Sequence, residues 1–132
     1  MPEKKENDSP ERLLLFINAL LDKKALNPVV LNVKEISAFA DWFIICSGTS
    51  DRQVRAISSA IQESVKKAGL LPLGVEGESE GKWMLLDYDD IIVHVFLESI
   101  RIFYDLERLW AEAPLMAIPE DATALRSLPK AI

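Results

Sequence analysis

Two short apolar segments joined by an acidic turn, at residues 83–88 and 91–97, constrain the fold of this chain more than any other feature. Successive side chains of a β-strand point to opposite faces of a sheet, and both segments carry large apolar residues at alternate positions. The second segment is apolar at odd and even positions alike, interrupted only by His94. Such a strand needs cover on both sides. The sequence therefore predicts a β-hairpin that turns at Asp89 and Asp90 and whose second strand is internal in a sheet.

Hydrophobic periodicity along the rest of the chain predicts three helices and three further strands. Apolar residues recur at helical spacing over 10–24, 50–68 and 99–110, whereas 29–33, 42–46 and 72–76 are short β-rich runs. The middle helix has the clearest boundaries, because Ser50 and Gln53 have capping-box spacing and Gly69 suits the position after its last turn. The last helix is expected to start at Ser99 and to end before Pro114.

The last helix is expected to pack an apolar face on the sheet, with Arg101 and Asp105 paired across one turn of its other face. The residues predicted for the apolar face are Ile102, Phe103, Leu106, Leu109 and Trp110.

This order of elements predicts a single α/β domain, with a mixed (α+β) sheet of about five strands and helices packed on it. A length of 132 residues suits one domain with one core. We expect the domain to span residues 9–113. Residues 1–8 are expected to form a flexible N-terminal tail, and residues 114–132, which contain Pro119 and Pro129, a C-terminal tail that is loose or folds only on a partner.

The acidic charge of the chain is concentrated around the hairpin. Residues 74–98 hold seven acidic residues and one lysine, so this segment alone carries the formal net charge of −6 that the whole chain has. Affinity for nucleic acids comes largely from Lys and Arg at phosphates. An acidic surface instead attracts a basic partner. We therefore expect little direct binding to nucleic acids.

Localisation signals are not evident in the sequence. The N-terminal residues lack a basic start followed by an apolar run, and no apolar stretch approaches the ~20 residues of a membrane span. A cytoplasmic protein without membrane association is expected. Cys46, the only cysteine, lies inside an apolar strand and is expected to be a buried thiol.

Several residues invite a catalytic interpretation. Asp87, Asp89 and Asp90 could in principle hold Mg²⁺, and with the Gly48–Thr49–Ser50 turn they suggest a nucleotidyltransferase-like enzyme. Against this, the last two aspartates fall in a turn, where Asp is common for conformational reasons. His94 has no second histidine or cysteine near it in sequence, and no phosphate-binding glycine motif is present. No metal or cofactor is therefore expected.

Two aromatic residues flank the acidic turn and form the strongest candidate for a contact surface. Trp83 and Tyr88 stand at either end of the first strand of the hairpin, among carboxylates. Aromatic residues surrounded by charge are typical of protein interfaces, where the aromatic anchors lie centrally and the charges at the rim.

A series of ordered motifs runs through residues 10–113. These are ADWFIICSGTS at 40–50, RQV at 52–54, AI at 56–57, EG at 76–77, WMLLDY at 83–88, Asp90, VHVF at 93–96, Arg101 and FYDLERLW at 103–110. Taken together, they resemble the Iojap family of bacterial ribosomal silencing factors (RsfS).

The resemblance implies a non-catalytic protein with a nucleotidyltransferase-like fold, which is a homodimer when free. It implies binding to the large ribosomal subunit through the basic ribosomal protein fourteen. This binding would block association with the small subunit and repress translation during starvation. The partner-binding residues implied by the family pattern are Trp83, Leu86, Asp87, Tyr88, Asp90 and His94, with Arg101, Tyr104 and Glu107 from the last helix. Asp89 stands where the family commonly has glycine, a residue suited to positive φ.

Two other functions remain open at this stage. One is a Mg²⁺-dependent nucleotidyltransferase-like enzyme, degenerate or active, that uses Asp87 and Asp90. The other is a dimeric scaffold in which the hairpin serves only self-association.

Overall fold

A six-stranded mixed sheet organises the computed structural model, which describes residues 11–119 and 121–130. In chain order the elements are α1 (Glu11–Asp22), β1 (Leu26–Asn32), β2 (Trp42–Gly48), α2 (Asp51–Lys67), β3 (Gly74–Glu76), β4 (Trp83–Asp87), β5 (Ile91–Leu97), α3 (Glu98–Tyr104), α4 (Leu106–Leu109) and β6 (Leu115–Ala117). The mixed α/β class is confirmed. No helix in the described ranges is long and apolar enough to span a membrane.

The strand order places the predicted hairpin near the middle of the sheet. The order is β3-β4-β5-β2-β1-β6, in which β2 and β5 run parallel and every other neighbouring pair is antiparallel. Within the hairpin, Trp83 lies opposite Phe96 and Asp87 opposite Ile92. The predicted hairpin and the internal position of its second strand are therefore both confirmed.

One face of the sheet is covered by α1 and α2, and the larger part of the core lies there. Phe16, Ile17 and Leu20 of α1 are fully buried, as are Ile57 and Ile61 of α2. The sheet contributes alternate residues of each strand to this core, among them Trp42, Ile44, Cys46, Met84, Leu86, Tyr88, Ile91, Val93 and Val95.

The predicted boundaries of α2 are confirmed. The Ser50 hydroxyl accepts a hydrogen bond from the Gln53 backbone N–H at 3.1 Å, and Gly69 follows the helix with φ of 88°. The side chain of Gln53 does not return to the backbone N–H of Ser50. Its Oε1 instead accepts from the backbone N–H of Thr49 at 2.7 Å and from the Thr49 hydroxyl at 2.9 Å, which fixes the turn between β2 and α2.

The opposite face of the sheet carries a smaller core that is only partly covered. Leu31, Phe43, Ile45 and Phe96 are buried there, and Trp83, Leu106 and Trp110 pack against them in part. Since α3 and α4 together are short, this face retains exposed area beside Trp83.

The prediction of one continuous last helix with Ser99 as its N-cap is wrong. It starts at Glu98, one residue before the expected Ser99 cap, and residue Asp105 breaks it into α3 and α4. Asp105 has φ of 47° and donates its backbone N–H to the Arg101 carbonyl at 2.8 Å, as in a left-handed helix C-cap. The Arg101 guanidinium pairs with Glu107 instead of the predicted Asp105.

The sequence predicts that the C-terminal segment is loose or folds only on a partner, but in the structure part of it is folded against the domain. Leu115–Ala117 forms the edge strand β6 against β1, and Met116 and Ile118 are buried. Further on, Asn18 of α1 exchanges two hydrogen bonds with the backbone of Leu125, at 2.7 and 3.1 Å. The folded domain therefore extends past residue 113. The predicted tail at residues 1–8 lies outside the described residues.

Candidate functional site

The nine residues implied by the family pattern divide between the two faces of the sheet. Alternation along β4 and β5 places Trp83, Asp87 and His94 on the α3 side, whereas Leu86 points into the core beneath α1 and α2. The structure therefore brings together Trp83, His94, Arg101, Tyr104 and Glu107. Asp87 shares their face of the sheet but lies at the other end of β4, and Leu86, Tyr88 and Asp90 lie on the opposite face.

Three of the residues implied as contacts have side chains that are buried on the face of the sheet covered by α1 and α2, so the structure does not present them to a partner. Leu86 is fully buried, and Tyr88 packs its ring edge-on against Phe16 with centroids 5.0 Å apart. The Asp90 carboxylate is buried in an ion pair with Arg12 of α1. These side chains hold α1 on the sheet, and we assign them no contact with a partner.

The turn between β4 and β5 keeps a positive φ although it lacks glycine. Asp89 has φ of 73°, and the Asp87 carboxylate accepts a hydrogen bond from its backbone N–H at 2.9 Å. Asp tolerates the left-handed region better than most residues. The substitution of Asp for the family's glycine is therefore compatible with the turn.

Trp83 forms the centre of an aromatic arrangement on the exposed side of β4. Its indole stacks on Phe96, with centroids 4.8 Å apart and planes inclined by 27°, and lies 5.1 Å from the Tyr104 ring. Its Nε1–H donates to Nδ1 of His94 at 3.1 Å. The indole is half-buried, so one part of it remains open to a partner.

Four large apolar or aromatic side chains of α3 and α4 are exposed. Tyr104, which contacts Trp83, is one of the implied contact residues, whereas the exposure of the other three was not expected from the sequence. Ile102, Phe103 and Leu109 are each about three-quarters exposed, and Tyr104 is half exposed. We call these four residues and Trp83 the α3–α4 surface. The prediction that Ile102, Phe103 and Leu109 pack on the sheet is therefore wrong. A sequence signal did exist, because 102–104 are three consecutive large residues and a helix cannot turn all three towards one core.

Arg101 fixes the base of the α3–α4 surface from inside the protein. Its guanidinium group donates to the Glu107 carboxylate at 2.8 and 3.1 Å and to the Ser47 hydroxyl at 3.0 Å. The side chain is buried, and its ion-pair partner is Glu107 rather than the predicted Asp105. Arg101 thereby ties α3 and α4 to the end of β2, and is unavailable as a contact residue.

The acidic loop before β4 is also held in place. Arg55 of α2 donates from Nε to the Glu78 carbonyl at 2.8 Å and from a terminal nitrogen to the Ser79 carbonyl at 2.7 Å. Gly77 has φ of 87°, and a Cβ there would lie 2.0 Å from the Trp83 carbonyl, so only glycine allows this close approach. Arg55 therefore links α2 to the loop before β4.

The proposed Mg²⁺ site is not assembled in this geometry. Asp87 lies on the α3 side and bonds the turn, whereas Asp90 faces α1 and pairs with Arg12. In residues 11–119 and 121–130, no three His, Cys, Asp or Glu side chains lie together as metal ligands would. Two carboxylates on opposite faces cannot share one metal ion.

Cys46 should be chemically inert while the protein is folded. It lies buried in β2, and burial raises the pKa of its thiol to about 12, a shift that nearby Arg101 only partly offsets. Since the thiolate is the reactive form, a thiol reagent should label Cys46 at pH 8 only when urea unfolds the chain. Rapid labelling without urea would contradict this expectation.

His94 should make the stability of the protein depend on pH. Burial lowers the pKa of His94 from the ordinary 6.5 to about 4, and the charge of Glu107 offsets this in part. The unfolded state therefore binds this proton more tightly, so the contribution is complete above about pH 6.5 and falls as the pH approaches 4. We expect a loss of about 2 kcal/mol between pH 7 and pH 5.

The measurement is urea unfolding of the wild type and of a His94→Phe variant from pH 5 to pH 8. The variant lacks the ionisable ring, so its stability should change less over this range. Equal pH dependence of the two proteins would show that His94 does not contribute.

The fold and the exposed surface define a small mixed α/β protein whose most distinctive described feature is an aromatic surface flanked by carboxylates. Comparison with known proteins agrees with this class. The family model described as "Ribosomal silencing factor during starvation" matches residues 6–131. The chain therefore belongs to the RsfS family, and the resemblance noted in the sequence is confirmed. The match also includes the C-terminal segment that the resemblance had left out.

Individual relatives give the same result. The chain is 42% identical over 108 residues to ribosomal silencing factor RsfS of Halalkalibacterium halodurans, covering 82% of this chain and 92% of that protein. It is 31% identical over 124 residues to the chloroplastic protein Iojap of Zea mays, covering 91% of this chain and 54% of that protein. A crystal structure of a protein from Chromobacterium violaceum matches with a TM-score of 0.75 and 37% identity, covering 76% of this chain and 84% of that one.

Proposed function

We propose that this protein is a cytoplasmic, non-catalytic ribosomal silencing factor. It binds the large ribosomal subunit through ribosomal protein fourteen and prevents the small subunit from joining, so that translation is repressed during starvation. Membership of the RsfS family supports this proposal, as does the name that its bacterial relatives carry. The observation that carries it on this chain is the exposed α3–α4 surface.

The composition of this surface suits a protein partner. Trp, Tyr and Phe anchor protein interfaces because they bury a large area at a low cost in side-chain entropy. Here the Tyr104 ring contacts two other aromatic rings. Its centroid lies 5.1 Å from that of Trp83 and 5.1 Å from that of Phe103. An aromatic group of this kind left in water is a candidate interaction site.

The charges around the surface favour a basic protein over RNA. The carboxylates of Glu98 and Asp105 are exposed beside Ile102, and Asp87 lies beyond Trp83 on the same face. Arg101, which lies beside Glu98 and Asp105, is already paired with Glu107. Phosphates would be repelled by this arrangement, whereas lysine and arginine side chains of a ribosomal protein would be attracted.

The free protein is proposed to be a homodimer. An exposed apolar surface of this kind tends to be covered by some partner in solution, and a second copy is the partner present when ribosomes are absent. Analytical ultracentrifugation of the free protein tests this directly. A monomer at micromolar concentration would contradict it.

The decisive experiment for the function is co-sedimentation of the protein with purified large subunits through a sucrose cushion, with small subunits as the control. We expect the protein to pellet with large subunits only. In the same samples, adding the protein before the small subunits should reduce the amount of joined ribosomes on a gradient. Failure to pellet with large subunits would contradict the proposal, as would pelleting without any effect on subunit joining.

A further inference from the structure

His94 lies beneath the contact surface and is not part of its exterior. It is 5% exposed in the centre of β5, opposite Leu85 of β4. Nδ1 of its ring accepts the Nε1–H of Trp83 at 3.1 Å. Because one ring nitrogen of a neutral imidazole accepts and the other carries the proton, this contact places the proton on Nε2.

The His94 ring itself is held firmly. The Phe43 ring meets it edge-on at 5.2 Å between centroids, and the Phe96 ring lies nearly parallel to it at 6.1 Å. These neighbours come from β2 and β5, the two central strands of the sheet. The acceptor offered to Trp83 is therefore held by side chains of the two central strands.

Trp83, by contrast, is less buried than His94. It is half-buried at the start of β4, with Phe96 under one ring face and the partly exposed Tyr104 beside it. Stacking alone permits an indole to slide or flip by half a turn, because ring faces are similar in either orientation. A hydrogen bond at one edge of the ring selects a single orientation.

We propose that His94 is a positioning residue that fixes the indole of Trp83 in the orientation used for binding the large subunit. This inference rests on the proposed function for its effect on affinity. It also specifies what the partner contacts. Since the indole N–H is already bonded to His94, Trp83 offers the partner its ring, which suits an apolar or cationic side chain and not a hydrogen-bond acceptor.

Two substitutions of His94 separate positioning from packing. In His94→Phe the ring shape is kept and the acceptor is lost. In His94→Asn the side-chain oxygen can take the place of Nδ1, although the side chain is smaller. We expect His94→Phe to fold and to bind purified large subunits about tenfold more weakly than the wild type, whereas His94→Asn should stay within about threefold. The reverse order would mean that His94 acts through packing, and would overturn the proposal.

A spectroscopic measurement tests the positioning without ribosomes. The indole N–H signal of Trp83 in ¹⁵N-labelled protein is identified by its loss in Trp83→Phe. It should exchange slowly with solvent in the wild type and in His94→Asn, and rapidly in His94→Phe. An unchanged exchange rate in His94→Phe would overturn the proposal, even if the wild type fails to bind large subunits and the proposed function itself falls.

A double substitution completes the test. If His94 acts through the Trp83 N–H, His94→Phe should have little further effect on affinity once Trp83→Phe has removed that donor. Additive effects of the two substitutions would show that His94 acts by another route.

Discussion

Replacing Phe103 by alanine is expected to weaken binding to purified large subunits by about thirtyfold without unfolding the protein. The Phe103 side chain is 77% exposed and lies next to Tyr104 in α3, so it contributes little to the core. Its removal should cost less than about 0.5 kcal/mol in folding, as is usual for exposed positions. Truncating a central aromatic anchor of an interface commonly costs about 2 kcal/mol or more of binding energy.

The control for this prediction is Phe39→Ala, which removes the same side chain from another exposed site. Phe39 is 86% exposed in the connection before β2, near Trp42. It lies towards the end of the sheet where β5 begins, whereas α3 follows the other end of β5. Affinity measured by titration and sedimentation should be unchanged in Phe39→Ala. If the control weakens binding and Phe103→Ala does not, the α3–α4 surface is the wrong site.

Replacing Arg101 by alanine is expected to lower the free energy of unfolding by about 3 to 5 kcal/mol, the range observed when one partner of a buried ion pair is removed. The guanidinium group connects Glu107 of α4 with Ser47 of β2, and Ser47 is itself buried. Alanine would leave the Ser47 hydroxyl without this donor and would free α4 from the sheet. The loss should be visible in urea unfolding followed by circular dichroism.

Arg108→Ala is the matched control, because Arg108 is an exposed arginine in the neighbouring helix α4. Its removal should change stability by less than about 0.5 kcal/mol. Glu107→Ala should be more damaging than its partial exposure suggests, since it leaves the buried Arg101 charge without its partner. A stability loss below about 1 kcal/mol for Arg101→Ala would show that the ion pair does not hold α3 and α4.

The hairpin could be predicted from the sequence because its signal is local. Two apolar runs at residues 83–88 and 91–97, separated by a polar turn, specify two strands and a turn without reference to the rest of the chain. The break at Asp105 could not be predicted in this way. It depends on Arg101 reaching Ser47, which is 54 residues earlier, and helical periodicity contains no information about that contact. Strand β6 was missed for a related reason, since three residues show no period and acquire their conformation by pairing with β1.

The candidate site was predicted only in part, and the reason lies in the parity of β4. Trp83 and Asp87 occupy odd positions, whereas Leu86 and Tyr88 occupy even positions that face α1 and α2. The family pattern marks all four residues without saying which face each one takes. Assigning alternate residues of β4 to opposite faces would have separated Trp83 and Asp87 from Leu86 and Tyr88. The exposure of Ile102 and Phe103 required the structure, because it follows from how little of the second face α3 and α4 can cover.

The position of β6 has a consequence for the synthesis of the protein. This strand pairs with the outer edge of β1, which is made before every other described strand, whereas its own residues, 115–117, are made after all of them. While the chain is still being translated, β1 therefore has a free edge of unpaired backbone groups, which can pair with a neighbouring nascent chain. Premature termination before residue 115 would leave that edge open permanently, and such fragments should aggregate where the full-length chain does not.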